Sequence, residues 1–231
     1  MKRIVTAGLG LMALAGSIEM ASAADLARRY EPVPAPMVVP APIFTWTGFY
    51  VGANLGYGWS DIKGTLSRVG RVTGSGDGIV GGGQIGYNWQ AGSFVFGLET
   101  DIQGSSGSGD VRGRQGGNVL NATGETPWFG TVRGRVGYAV NQWLFYVTGG
   151  GAYGENRLKG TLNGVSFSRS KDFFTWTVGG GIEAALSQNW SVKAEYLYIG
   201  TPDSIAVPPG TRATGGDINS NVVRVGVNYR F

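Results

Sequence analysis

Eight ionisable side chains set the chemistry open to this sequence. Glu99 and Asp101, Arg133 and Arg135, and Lys193 and Glu195 each stand two residues apart, while Glu183 and Arg224 stand singly. Side chains two apart in an extended chain share a face, so each of these pairs points one way. Four acids and four bases gathered inside a closed sheet would balance, and balance matters because an unpaired charge in a confined interior is costly. The expected chemistry is an internal ion-pair network. It either plugs and stabilises the interior or, through rearranged pairs, offers a narrow path for ions. Nucleophilic catalysis fits poorly, because the chain has no His to deprotonate a Ser or assist an Asp. It has no Cys either, which removes disulfides, thiolate metal sites and cysteine nucleophiles. Asp61, Asp77, Asp110 and Asp203 fall in different segments and read as solvated carboxylates. Gly81 to Gly86 fits G-x-G-x-x-G, but no helical pattern follows to hold a phosphate, so these glycines read as relief of crowding in a curved strand. No enzyme activity, cofactor or metal is expected, and nothing points to nucleic acid.

The elements that must position these charges are strands. Glycine reaches 42 residues against only 15% charged and 12% aromatic residues, and the glycines are interleaved with aromatics, which favours sheet. Phe49, Val51, Ala53, Leu55, Tyr57 and Trp59 alternate with Tyr50, Gly52, Asn54, Gly56, Gly58 and Ser60. Similar segments run over residues 79–89, 94–103, 128–140, 143–153, 174–186, 190–198 and 221–231, making eight. The segment at 143–153 is the least clear, since Trp143 to Val147 is apolar at every position. Three connections are short, around Ala91-Gly92, Asn141-Gln142 and Gln188-Asn189. The other four, roughly 61–78, 104–126, 155–172 and 200–220, are long and rich in Gly, Ser and charge, and read as loops. Short turns on one rim and long connections on the other, with an oily outer face, are the pattern of an outer-membrane barrel. Trp89, Phe94, Trp143, Leu186, Trp190, Tyr229 and Phe231 gather beside the short turns as an interfacial girdle would. The fold expected is therefore all-β, an eight-stranded antiparallel up-and-down transmembrane β-barrel over residues 46–231.

Ahead of it, Lys2 and Arg3, an apolar core from Ile4 to Ala15 and Ala21-Ser22-Ala23 read as a cleaved signal peptide over residues 1–23. Residues 24–45, with prolines every two to four positions from Pro32 to Pro42, read as an extended linker on the periplasmic side.

Several runs carry a resemblance. Trp46 to Gly58 after a Pro-rich leader, Gly81 to Trp89, Arg133 to Tyr138 and Val223 to Phe231 are similar to the small alphaproteobacterial outer-membrane proteins with an OmpA-like barrel, a group of surface antigens, hemin binders and porin-family members. The resemblance covers nearly all of the chain after the leader. It implies a location in the outer membrane of a Gram-negative bacterium, and a terminal strand whose Tyr229 and Phe231 are read by the barrel-assembly machinery. Its implied roles are structural and surface-presenting: envelope integrity, antigen display, and loop contacts with lipopolysaccharide, host or periplasmic partners. A narrow porin-like channel is the alternative, and hemin held by Tyr153 or Tyr198 a lesser one. Basic residues in the long connections, above all Arg157, Lys159, Arg169 and Lys171, suit lipopolysaccharide phosphates.

Overall fold

The computed structural model describes residues 44–202 and 206–231; the expected signal peptide, most of the linker and Asp203 lie outside them. Nine strand segments form one antiparallel sheet: β1 (Gly48–Leu66), β2 (Gly70–Ala91), β3 (Phe94–Ser105), β4 (Ser108–Gln115), β5 (Asn118–Val140), β6 (Trp143–Leu162), β7 (Val165–Ala185), β8 (Trp190–Ile199) and β9 (Ala213–Arg230). The sheet closes on itself, because β1 pairs with β2 on one side and with β9 on the other, Tyr50 opposite Arg230. β3 and β4 both lie between β2 and β5, β3 at one end of the wall and β4 at the other. They are one stave interrupted at Ser106-Gly107, so the barrel has eight staves.

Three of the four long connections are not loops. β1 and β2 run on to a turn at Ser67–Val69, β4 and β5 meet at Gly116-Gly117, and β6 and β7 meet at Asn163-Gly164. Asn163 and Gly164 have φ of 54° and 82°, as a type I′ turn demands. Composition suggested loops because Gly, Ser and charge dominate these stretches. Pairing prevails because each hairpin turns an apolar row inward: Leu66, Val69, Val72, Val111, Leu120 and Leu158 form one buried cluster. In the fourth long connection the described residues, 200–202 and 206–212, carry no strand.

The wall alternates as a barrel in lipid must. Phe49, Leu55, Phe96, Val132, Phe174 and Val225 are exposed on the outside, and rings stack edge to face along the short-turn rim: Phe49 on Tyr87, Phe94 on Tyr138, and Trp190 on Tyr229. A second aromatic row, with Trp128 on Tyr153 and Trp176 on Tyr198, marks the opposite boundary. From Phe49 to Trp59 a tilted strand climbs about 25 Å, the height of an outer-membrane apolar band. The ambiguous segment resolves in β6: Leu144, Tyr146 and Thr148 are buried inside, while Trp143, Phe145 and Val147 face out.

Eight staves leave an interior that side chains fill, and here they fill it in layers. At the short-turn end Trp46, 1% exposed, packs among Val95, Ala139, Leu144, Tyr146 and Ala185. Its backbone N–H donates to Gln90 Oε1 at 2.7 Å, so residues ahead of β1 turn back into the mouth as a plug. Phe44 and Thr45, the end of the expected linker, belong to this plug: Phe44 meets Trp46 edge to face at 5.1 Å, and Thr45 donates to Gln90. Arg230 caps it, lying 4.6 Å over Phe44 and donating to the Gln188 carbonyl. Above the plug comes the charged layer, then a second apolar cluster with Phe129, Phe173 and Leu197, and finally the hairpin cluster.

Candidate functional site

All eight charges singled out in the sequence meet in one layer across the lumen, each buried to 4% exposure or less. Strand parity brings them there: Glu99 and Asp101 from β3, Arg133 and Arg135 from β5, Glu183 from β7, Lys193 and Glu195 from β8, Arg224 from β9. Arg133 is the hub. Its Nη2 donates to Glu99 and, at 2.9 Å, to Asp101, and its Nη1 donates to Glu195 at 3.0 Å. Arg224 crosses the lumen from the far wall to Asp101 at 3.0 Å and meets Glu195, its cross-strand neighbour on β8, at 2.6 Å. Lys193 Nζ lies 2.9 Å from Glu99 Oε2. Arg135 sits to the short-turn side and donates to Glu183 at 2.8 Å.

Neutral groups that the sequence reading did not single out complete the layer. Tyr50 Oη donates to Glu99 at 2.8 Å and Tyr146 Oη to Glu195 at 3.1 Å. Thr131 donates to Asp101, Ser191 to Glu183, and Asn228 Nδ2 to Glu183. The Arg135 guanidinium lies 4.4 Å over the Tyr146 ring. Room for Tyr50 comes from Gly86 on β2, where any Cβ would collide with the Tyr50 ring. Gly86 ends the G-x-G-x-x-G run, and the whole run lies within β2. Every carboxylate thus has at least one guanidinium or ammonium and one hydroxyl or amide donor, the condition under which buried ion pairs are tolerated. Tyr50 carried a parity signal. Tyr146 carried none, because the apolar plug layer makes both faces of β6 oily at that point.

The four cations of the β6–β7 hairpin do not share a face. Arg157 and Lys159 point outward and are already paired, Arg157 with Glu155 at 3.0 Å and Lys159 with Glu125 at 3.1 Å. Arg169 and Lys171 follow the parity of buried Phe173 and are exposed near the hairpin end; no ion pair engages them among the described residues. Tyr153 and Tyr198 sit on the outer wall in separate staves, Tyr198 donating to Asn219 at 2.7 Å. Tyr229 and Phe231 stack on each other at 5.2 Å beside the β1–β9 seam, where the Phe231 N–H donates to the Phe49 carbonyl.

This wall and interior can be set beside known proteins. Residues 37–231 match the outer membrane protein beta-barrel domain. The chain belongs to the outer-membrane β-barrel family. Relatives in that family include the 31 kDa outer-membrane immunogenic protein of Brucella melitensis, 38% identical over 85% of this chain and 88% of that one. The 22 kDa outer membrane protein of Rhizobium leguminosarum bv. viciae is 37% identical over 82% of this chain and 80% of its own length. Among solved barrels, the outer membrane protein OprG from Pseudomonas aeruginosa superposes with a TM-score of 0.50 at 12% identity, over 80% of this chain and 96% of that one, a likeness of fold alone. As a member of this family the chain lies in the outer membrane of a Gram-negative bacterium.

Proposed function

We propose that this outer-membrane protein is a closed structural barrel that presents its hairpins at the cell surface, and not a pore or an enzyme. One observation carries the reading: Arg133, 1% exposed, ties three carboxylates from opposite walls together in mid-lumen. A continuous wet path would have to pass through that layer and then through the Trp46 plug. Surface display is supported by the 31 kDa relative, which is named an outer-membrane immunogenic protein, and by hairpins long enough to stand above the outer aromatic row. The test is single-channel recording of the refolded protein in planar bilayers. Silence is the expected result, and discrete, reproducible openings altered by Arg133→Ala and Arg135→Ala would overturn the reading.

Contact with lipopolysaccharide phosphate belongs to the same proposal and rests on Arg169 and Lys171, the two cations of the β6–β7 hairpin that have no carboxylate partner among the described residues. Replacing both with Ala is expected to lower co-purifying lipopolysaccharide severalfold, and replacing Arg157 and Lys159 to lower it less. Equal retention in all variants would remove this contact from the proposal.

A further inference from the structure

Between the charged layer and the hairpin cap the barrel is not full. A cavity of about 220 Å³ lies there, floored by Val80, Phe129, Phe173 and Val222 and roofed by Leu66, Val72, Leu120 and Leu158. Its charged lining residues are spent elsewhere: Asp77 accepts from Tyr57, Glu125 binds Lys159 and Arg157 binds Glu155. Asn156 accepts from Thr126, and Ser60 donates to the Gly76 carbonyl. Ser105 accepts from the Gly107 N–H and Asn221 from Tyr196; apart from the hydroxyls of Ser108 and Ser220 the walls that remain are mostly apolar, and such a void gives water few of the two to four partners it needs.

Glycine keeps this space open where larger residues would fit. At Gly58, which faces inward on β1, a Cβ would make ordinary contacts, 3.5 Å to Val222 Cγ2 and 3.7 Å to Val80 Cγ1. At Gly124 on β5 nothing but Gly109 O and Val111 Cγ2 comes near, both at 3.9 Å. Elsewhere in the same wall, at Gly78 and Gly109, a Cβ would strike backbone, and glycine is required by packing. Gly58 and Gly124 have no such requirement.

We propose that this chamber is a binding site for a small uncharged apolar molecule, of the size of one ring or a short alkyl chain. The size follows from the volume, since a void of about 150 Å³ lined by aliphatic and aromatic residues takes up benzene. The neutrality follows from the absence of a free charged partner among the described lining residues. Because the ion-pair layer lies directly beneath, a guest is held in the chamber rather than passed to the periplasm.

The test is methyl NMR of the full protein, labelled at Ile, Leu and Val and held in lipid nanodiscs, titrated with toluene as the probe. Methyls of Val80, Val222 and Leu158 are expected to shift along a saturating curve. Those of Val132, Val223 and Val225 on the outer wall report toluene dissolved in the bilayer and are expected to shift in proportion to it. Inner methyls that follow the outer ones, or do not move, would overturn the proposal. Gly58→Leu, checked for folding by its heat-modifiable migration, is expected to abolish the saturable phase, and Gly124→Leu serves if the first does not fold. A folded variant with the saturable phase intact would also overturn it.

Discussion

Replacing Arg133 with Met is the most informative perturbation, because it removes one charge while keeping much of the side-chain volume. In the native layer Arg133 serves Glu99, Asp101 and Glu195 at once. Its loss leaves four carboxylates facing three cations, although none is stripped bare: Glu99 keeps Lys193 at 2.9 Å, and Asp101 and Glu195 keep Arg224 at 3.0 and 2.6 Å. Breaking a buried pair typically costs about 3–5 kcal/mol, and the remaining cations place this case near about 3 kcal/mol. That is roughly a hundredfold in the folding equilibrium. With a urea dependence of about 2 kcal/mol per molar, the midpoint should fall by about 1.5 M. The assay is reversible urea unfolding in lipid vesicles, followed by the fluorescence of the seven tryptophans. Adding Asp101→Asn restores charge balance and should recover at least half of the loss. A single variant within about 0.3 M of wild type, or a double variant whose loss equals the sum of the two singles, would refute the coupled layer; additivity is what independent sites give.

Two further outcomes follow from the layers around it. Trp46→Ala empties the short-turn mouth and is expected to cost about 3–5 kcal/mol by the same unfolding assay, yet to leave bilayer recordings silent because the ion-pair layer still closes the lumen; channel openings in this variant would show that the plug, not the charge layer, is the seal. Gly164→Ala forces an L-residue into the left-handed region at φ 82° and is expected to cost about 1 kcal/mol, seen as faster proteolysis of the β6–β7 hairpin in intact cells with the barrel itself unaffected; cleavage at the wild-type rate would contradict the turn geometry.

The charge layer was legible because period-two alternation needs only a register, and β3, β5, β8 and β9 each offer a clean one. Where the interior itself turns oily the same logic fails: Leu144 and Tyr146 face a lumen packed with Trp46, so nothing in the sequence separates them from Trp143 and Phe145 on the lipid side. The hairpins were hidden for a different reason. Their polar outer faces stand above the bilayer, so composition imitates loop, while the inward apolar residues are spaced too thinly among glycines to announce a strand. Asn163-Gly164 was a usable signal, since Asn-Gly between alternating segments marks a type I′ turn. The Trp46 plug had no local signature at all. Its burial depends on Gln90 and Arg230, 44 and 184 residues away in the chain.

The seam between β1 and β9 has a consequence for how the molecule is made. Tyr50 and Arg230 face each other across it, so the ring cannot close until about 180 residues of chain have been brought end to end. For a free chain of that length the closing entropy is about 4–5 kcal/mol beyond a constant, with no compensating contact before the last strand docks. Arg224 rides on that last strand, so Asp101, on β3 across the lumen, lacks one of its cations until the same moment. Closure and neutralisation are thus a single event, and a chain cut short of β9 should not persist as a partly built barrel: it would hold an open edge and unbalanced charge inside a membrane.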